Sequence, residues 1–223
     1  MFRQLAARTI GRIYDAHALQ LLDRDRHGYM PWTSSAVRPG TVACILNDIV
    51  INRRKTIIEF GCGVSTVLIS RCLDPAVHKL ISIEHDEQWA ESLARTICDA
   101  GLSPVCKVVC APLKPCEHSL DGSEWYDTEV VGKALSTERV DTVLCDGPLA
   151  DSAGARLSRY PAVPVVSDYL GAEYSIYLDD IQRRGERRIA RRWGKLLNIR
   201  FRHHLLRGSF ALGTQGRHLN ALI

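Results

Sequence analysis

The chain has 223 residues, 46% of them hydrophobic and 24% charged, a balance that suits one globular domain and excludes a disordered or fibrous chain. No apolar run approaches the roughly 20 residues of a membrane-spanning helix, and the first segment, with Arg3, Arg8 and Arg12, lacks the apolar core of a signal peptide. A formal charge of +4 conceals an asymmetry: Arg183 to Arg207 holds ten Lys or Arg and one acid, Glu186, a local +9 that leaves −5 elsewhere.

Phe2, Leu5, Ile10, Ile13, Leu21 and Leu22 recur at loosely helical spacing and predict an N-terminal helix or helix pair. A loop at 29–35 follows, and Pro39 starts a helix running to Asn52. Residues 1–40 are therefore expected to form a helical cap on a domain spanning 41–223. That domain opens with a β-branched strand at 56–60, a Gly61-Cys62-Gly63 turn, and a helix at about 65–73 whose start suits Ser65 and Thr66. Glycine is expected there because the loop must turn sharply and let its backbone approach a ligand.

A second strand at 80–84 ends in Glu84, about 20 residues after the loop, where open α/β folds bind a ribose diol. The spacing then predicts a helix from Glu87 to Ala100 stopped by Gly101, and strands at 105–110 and 140–145. A long Pro- and Gly-containing segment covers 147–168. A strand at 175–178 and the arginine-rich helix come next, and a hairpin of 199–203 with 209–212 closes the chain. Strands alternating with helices imply a mostly parallel sheet, helices on both faces, and ligands beyond the strands' C-terminal ends.

The stretch Glu59-Phe60-Gly61-Cys62-Gly63-Val64-Ser65, followed by the acid at Glu84, resembles the first two motifs of class I S-adenosylmethionine-dependent methyltransferases. A dinucleotide fingerprint would want a third glycine where Thr66 stands, and Glu59 would repel a pyrophosphate. The resemblance covers roughly residues 30–212 and is strongest at 56–66, 80–86 and 142–148. It implies a Rossmann-like doubly wound α/β fold with a C-terminal antiparallel hairpin. It also implies S-adenosylmethionine held by Glu59, Gly61, Gly63, Ser65, Thr66, Glu84, His85, Ala111 and Asp146, with methyl transfer to an oxygen of a small polar or sugar-like acceptor.

Asp146, Asp179 and Asp180 follow two strand ends and resemble the acidic cluster with which catechol- and macrocin-type O-methyltransferases hold magnesium. That resemblance gives Asp146 and Asp180 catalytic roles and makes all three aspartates ligands of a Mg2+ that would acidify the acceptor hydroxyl. Gly147-Pro148-Leu149 stands where those families often place a lysine or a second aspartate, which removes the obvious local base. The bland alternative is that Asp146 or Asp180 caps a loop or helix or pairs with a nearby arginine.

Softer candidates remain open in pairs. Trp125-Tyr126 either covers the adenine or belongs to the core, and Trp32, Thr33 and Ser34 either border the cofactor's methionine end or cap a helix. Arg156, Arg159 and Tyr160 lie on a loop long enough for a lid or specificity element. His203 and His204 read as ordinary surface or core histidines rather than bases. Cys106, Cys110, Cys116 and His118 lack the paired spacing of a zinc site, so all eight cysteines are expected as reduced thiols in a cytoplasmic protein. The arginine-rich helix reads first as a solvated face. The rival functions are a nucleic-acid methyltransferase clamped by that helix, which lacks the usual motifs, and a non-catalytic cofactor-binding module.

Overall fold

The computed structural model describes residues 2–22, 32–33, 35–150 and 156–222. Residues 29–31 and Ser34 of the expected loop, and 151–155 of the segment after Gly147, lie outside the described residues. Helices α1 (Phe2–Leu22) and α2 (Pro39–Ile51) precede the sheet, and Arg38 at the start of α2 donates to Asp15 of α1 at 2.6 and 2.9 Å. Alternating elements follow: β1 (Thr56–Phe60), α3 (Val64–Arg71), β2 (Lys79–Glu84), α4 (Glu87–Asp99) and β3 (Cys106–Cys110).

After the short pair β4 (Leu113–Lys114) and β5 (Trp125–Tyr126) come α5 (Thr128–Leu135) and β6 (Val140–Cys145). Helix α6 (Ala162–Val166), β7 (Leu170–Leu178), α7 (Arg184–Leu197), β8 (Phe201–His204) and β9 (Phe210–Gln215) complete the chain. The main sheet runs β3-β2-β1-β6-β7-β9-β8, its first five strands parallel and β9 antiparallel to both neighbours, which is the expected mostly parallel sheet with a closing hairpin.

Alternation along each strand sorts the core onto two faces. Ile57, Leu80, Leu144 and Tyr177 pack with α2, α3 and α4, while Ile58, Phe60, Ile81, Ile83, Val143, Ile176 and Leu178 pack with α5, α6 and α7. Burial on both faces explains the nearly continuous apolar strands. Register then sets the site: Phe60 lies opposite Ile83 and Cys145, and Cys145 opposite Leu178. The residues that follow, Gly61, Glu84, Asp146 and Asp179, therefore emerge together at one end of the sheet.

Several expectations needed correction. Strand β7 begins at Leu170, not at 175, because its first half is partly exposed and pairs past an irregularity at Val140 and Thr142, so it carries no apolar signature. Helix α5, capped by the Asp127 side chain at the Glu129 N–H, was not read in the sequence, nor were β4 and β5. Gly101 does stop α4, with φ of +70° and its N–H on the Cys98 carbonyl.

Candidate active site

The turn after β1 is built by Glu59. Its neighbours on the same face are Ser82 of β2 and the first turn of α3, so its carboxylate lies beneath the helix N-terminus, where the dipole favours negative charge. Ser65 and Thr66 each donate to it at 2.5 Å and Ser82 at 2.7 Å, while Thr66 Oγ1 also accepts from the Gly63 N–H at 2.9 Å. Burial raises the Glu59 carboxyl to about 7 despite these three hydroxyls. The residue is fully buried, with both oxygens in use. Glu59 thus holds the turn through three hydroxyls, and Thr66 is equally buried.

Gly61 has φ of +89°, and a Cβ there would stand 2.8 Å from the Gly147 nitrogen. Glycine is therefore obligatory at 61, where the turns after β1 and β6 meet back to back. Gly63 is extended and an added Cβ would meet open space, because it borders a cavity of about 500 Å3. Gly61, Cys62, Gly63, Ser65 and Asp146 line this cavity, with Thr33 and Trp89 among the opposite walls. Its size is within the range of small-molecule sites.

Glu84 ends β2 as expected, with its carboxylate turned inward. Oε2 accepts from the Cys62 N–H at 3.2 Å and lies 3.6 Å from its thiol, and Oε1 accepts from the N–H groups of His85 at 2.7 Å and Asp86 at 3.1 Å. Burial alone would raise Glu84, but these donors and the His85 ring, with Nδ1 2.7 Å from Oε1, hold it below its ordinary value. The contact with Glu84 raises His85 in turn. Cys62 lines the first cavity, whereas His85 lines a second of about 260 Å3 with Leu113, Ser123 and Pro148. Glu84 thus joins the walls of both. Ala111 is fully buried, and Trp125 and Tyr126 pack on Phe60 at centroid distances of 5.1 and 5.7 Å, so these three belong to the core.

The three aspartates do converge, their oxygens lying within 4.8 Å of one another. Asp180 adopts φ of +59°, a left-handed conformation that costs a non-glycine residue about 1–2 kcal/mol. An arginine pairs with two of them, as the alternative to a metal site had it, and the sequence did not single out which arginine. Arg159, expected on a lid, is 2% exposed and lies beneath the strand ends, 3.1 Å from Asp146 Oδ1 and 3.2 Å from Asp180 Oδ2. It donates to the carbonyls of Pro148 at 3.4 Å and Asp179 at 3.5 Å, and Arg183 adds a second contact to Asp180 at 3.1 Å. Three acids brought together at the strand ends require cations, and that requirement was the available sequence signal.

Burial raises Asp146 to about 6, with Arg159 pulling it down and Asp180 pushing it up. Burial, Asp146 and Asp180 push Asp179 well above the ordinary carboxylate range. Tyr160 is also structural, its carbonyl accepting from Trp193 Nε1 at 2.8 Å, while Arg156 is exposed. Trp32 packs against the α2 side of the core. His204 stacks on Phe210 at 4.9 Å, and burial lowers both His203 and His204, with no acid drawn to either among the described residues. None of the eight cysteines is in a disulfide, and among the described residues Cys106, Cys110, Cys116 and His118 do not gather as a ligand set.

No family model matches the sequence, and no curated protein matches it. Solved structures match the fold over most of the chain. A methyltransferase from Geobacter sulfurreducens is 14% identical at a TM-score of 0.56, covering 90% of this chain and 88% of its own. The O-methyltransferase TomG from Streptomyces achromogenes, involved in tomaymycin synthesis and solved with S-adenosylmethionine, is 15% identical at 0.57, covering 92% and 90%. The O-methyltransferase from Bacillus cereus, solved with S-adenosylhomocysteine, is 15% identical at 0.52, again covering 92% and 90%. The chain has the Rossmann-like fold of the class I S-adenosylmethionine-dependent methyltransferases.

Proposed function

We propose that this protein is an S-adenosylmethionine-dependent methyltransferase acting on an oxygen of a small polar or sugar-like acceptor. The observation that carries the proposal is the convergence of the Gly61–Gly63 turn and Asp146 on one cavity, with Glu84 tied to its wall through Cys62. Bound there, the cofactor would supply an electrophilic methyl group on a sulfonium. Gly61 and Gly63 would keep the turn open to it, Ser65 and Thr66 hold that turn through Glu59, and Glu84 would exchange its Cys62 thiol contact for a ribose hydroxyl. His85 borders the second cavity, where we place the base of the cofactor.

Asp146, raised by burial, would orient the acceptor hydroxyl and take its proton. Asp180 would act on Asp146 through Arg159, which contacts both. A further cavity of about 610 Å3 mixes the apolar Leu205 and Leu206 with Arg12, Asp15, Arg38, Gln182 and Ser209, groups that could meet a hydroxyl-bearing acceptor, and Gln182 links it to Asp180 at 2.8 Å. The thiols outside disulfides support a reducing, cytoplasmic setting. Among the described residues no helix is long and apolar enough to cross a membrane.

Calorimetry with S-adenosylmethionine and S-adenosylhomocysteine tests the cofactor assignment. Both should bind, and Glu84→Ala should weaken each by about 1–3 kcal/mol through lost charge-assisted hydrogen bonds. Absence of heat from either, with NAD binding instead, would overturn the assignment.

Helix α7 is read first as a solvated face. Glu186, Ile189, Ala190 and Trp193 are its buried face, and Arg187 is committed to the carbonyls of Ile181 at 2.9 Å and Gln182 at 2.8 Å. Replacing exposed Arg188, Arg191 and Arg192 with glutamine should change stability by no more than about 0.5 kcal/mol each and leave the Michaelis constant insensitive to moderate salt. A Michaelis constant that rises in this variant would identify the helix as an anion-guiding surface. Arg187 should be left in place in that experiment, because its loss would free two carbonyls.

A further inference from the structure

We infer that the Arg159 guanidinium occupies the position a divalent cation would need among Asp146, Asp179 and Asp180, so that the proposed transfer runs without a metal. The three oxygens span 4.8 Å, a distance a hard cation could bridge. Guanidinium nitrogens already lie 3.1 Å from Asp146 and 3.2 Å from Asp180, and the same side chain is fixed by the Pro148 and Asp179 carbonyls on two different strand ends. Arg159 is 2% exposed among the described residues.

Charge leads to the same conclusion. With every group ionised, the three aspartates carry −3 and Arg159 with Arg183 carry +2, leaving −1 to attract a dication. A magnesium ion adds two charges within a few ångströms of a buried guanidinium, which repels it. Among the described residues, Asp179 Oδ1 is a fully buried carboxylate oxygen with no hydrogen-bond partner, on a residue 5% exposed. Magnesium keeps several waters when protein-bound, and the buried Asp179 end of the cluster offers them little space. Arg159 therefore serves as a fixed counter-ion and a positioning residue for Asp146. The donor set of the expected Mg2+ site is present, but its centre is filled by the chain itself.

The inference rests on the methyltransferase proposal only for the word transfer, and a binding measurement separates the two. Mn2+ titrated into the full chain and followed by electron paramagnetic resonance should show no saturable binding to the wild type at millimolar concentration. Arg159→Met, which keeps much of the side-chain volume and removes the charge, should gain a site about a hundredfold tighter or more. Asp179→Asn in that background should abolish the gained site. If Arg159→Met does not fold, the wild type decides alone: a saturable Mn2+ site that Asp179→Asn removes would overturn the inference. In turnover, unchanged activity in excess chelator supports it, and loss restored by Mg2+ overturns it. Should no methyl transfer be found at all, the Mn2+ titration still reads the cluster directly.

Discussion

Asp146→Asn is expected to lower turnover by about a thousandfold while the dissociation constant for S-adenosylmethionine changes by less than about threefold. The asparagine oxygen can still accept from Arg159 at the position where Asp146 Oδ1 now lies 3.1 Å away, so the strand ends should keep their geometry. What disappears is the capacity to receive a proton. The wild type should show the matching pH dependence: a carboxyl raised to about 6 is protonated below that pH and cannot act as a base. Turnover should therefore rise as pH increases through about 6 and level off above it, and this limb should vanish in the asparagine variant. Steady-state rates from pH 5 to 8, with calorimetry at pH 7.5, provide the check. An asparagine variant within about tenfold of wild type would remove Asp146 from the reaction.

Gly147→Ala should destabilise the fold by about 3 kcal/mol or more and abolish cofactor binding. A Cβ at 147 would stand 2.1 Å from Tyr126 Oη and 2.9 Å from the Gly61 Cα. Neither neighbour can withdraw. Tyr126 is 1% exposed and packed between Phe60 and Trp125, while Gly61 is fixed by its N–H on the Ile83 carbonyl at 2.9 Å. Relief would require separating the turns after β1 and β6, and those turns carry Gly61 and Asp146 into the cavity. Gly63→Ala is the control, since its Cβ would point into open space and should cost stability little while still obstructing a ligand. Thermal unfolding of the two variants separates the effects. Equal melting temperatures would mean that the close approach at Gly61 does not constrain the chain.

What the sequence determined by itself is what repeats locally. The β-branched runs, Gly101 after α4, the Gly-x-Gly turn and the acid ending β2 each carry a short-range signal, because strand alternation, helix stops and positive-φ turns depend on neighbours in the chain. These were enough for the parallel sheet, the closing hairpin and the end of the sheet at which a site would form. The partly exposed first half of β7 and the short helix α5 carry no such pattern, and they were missed for that reason.

Only the tertiary structure decided what each acid does. Glu59 and Glu84 look alike in sequence, each the acid at or near the end of a strand. Alternation turns Glu59 under α3, where hydroxyls consume it, while register places Glu84 between the two cavities. Arg159 was legible only as a basic residue on a long loop. Its burial among Asp146, Asp179 and Asp180 follows from register, which aligns β6 with β7, and from the path of the chain back under both strand ends. Long-range placement of a charge depends on where a loop returns, and no local spacing records that. The same placement sets a buried guanidinium against two of the three aspartates expected to hold a metal, and a cation supplied by the chain partly neutralises them.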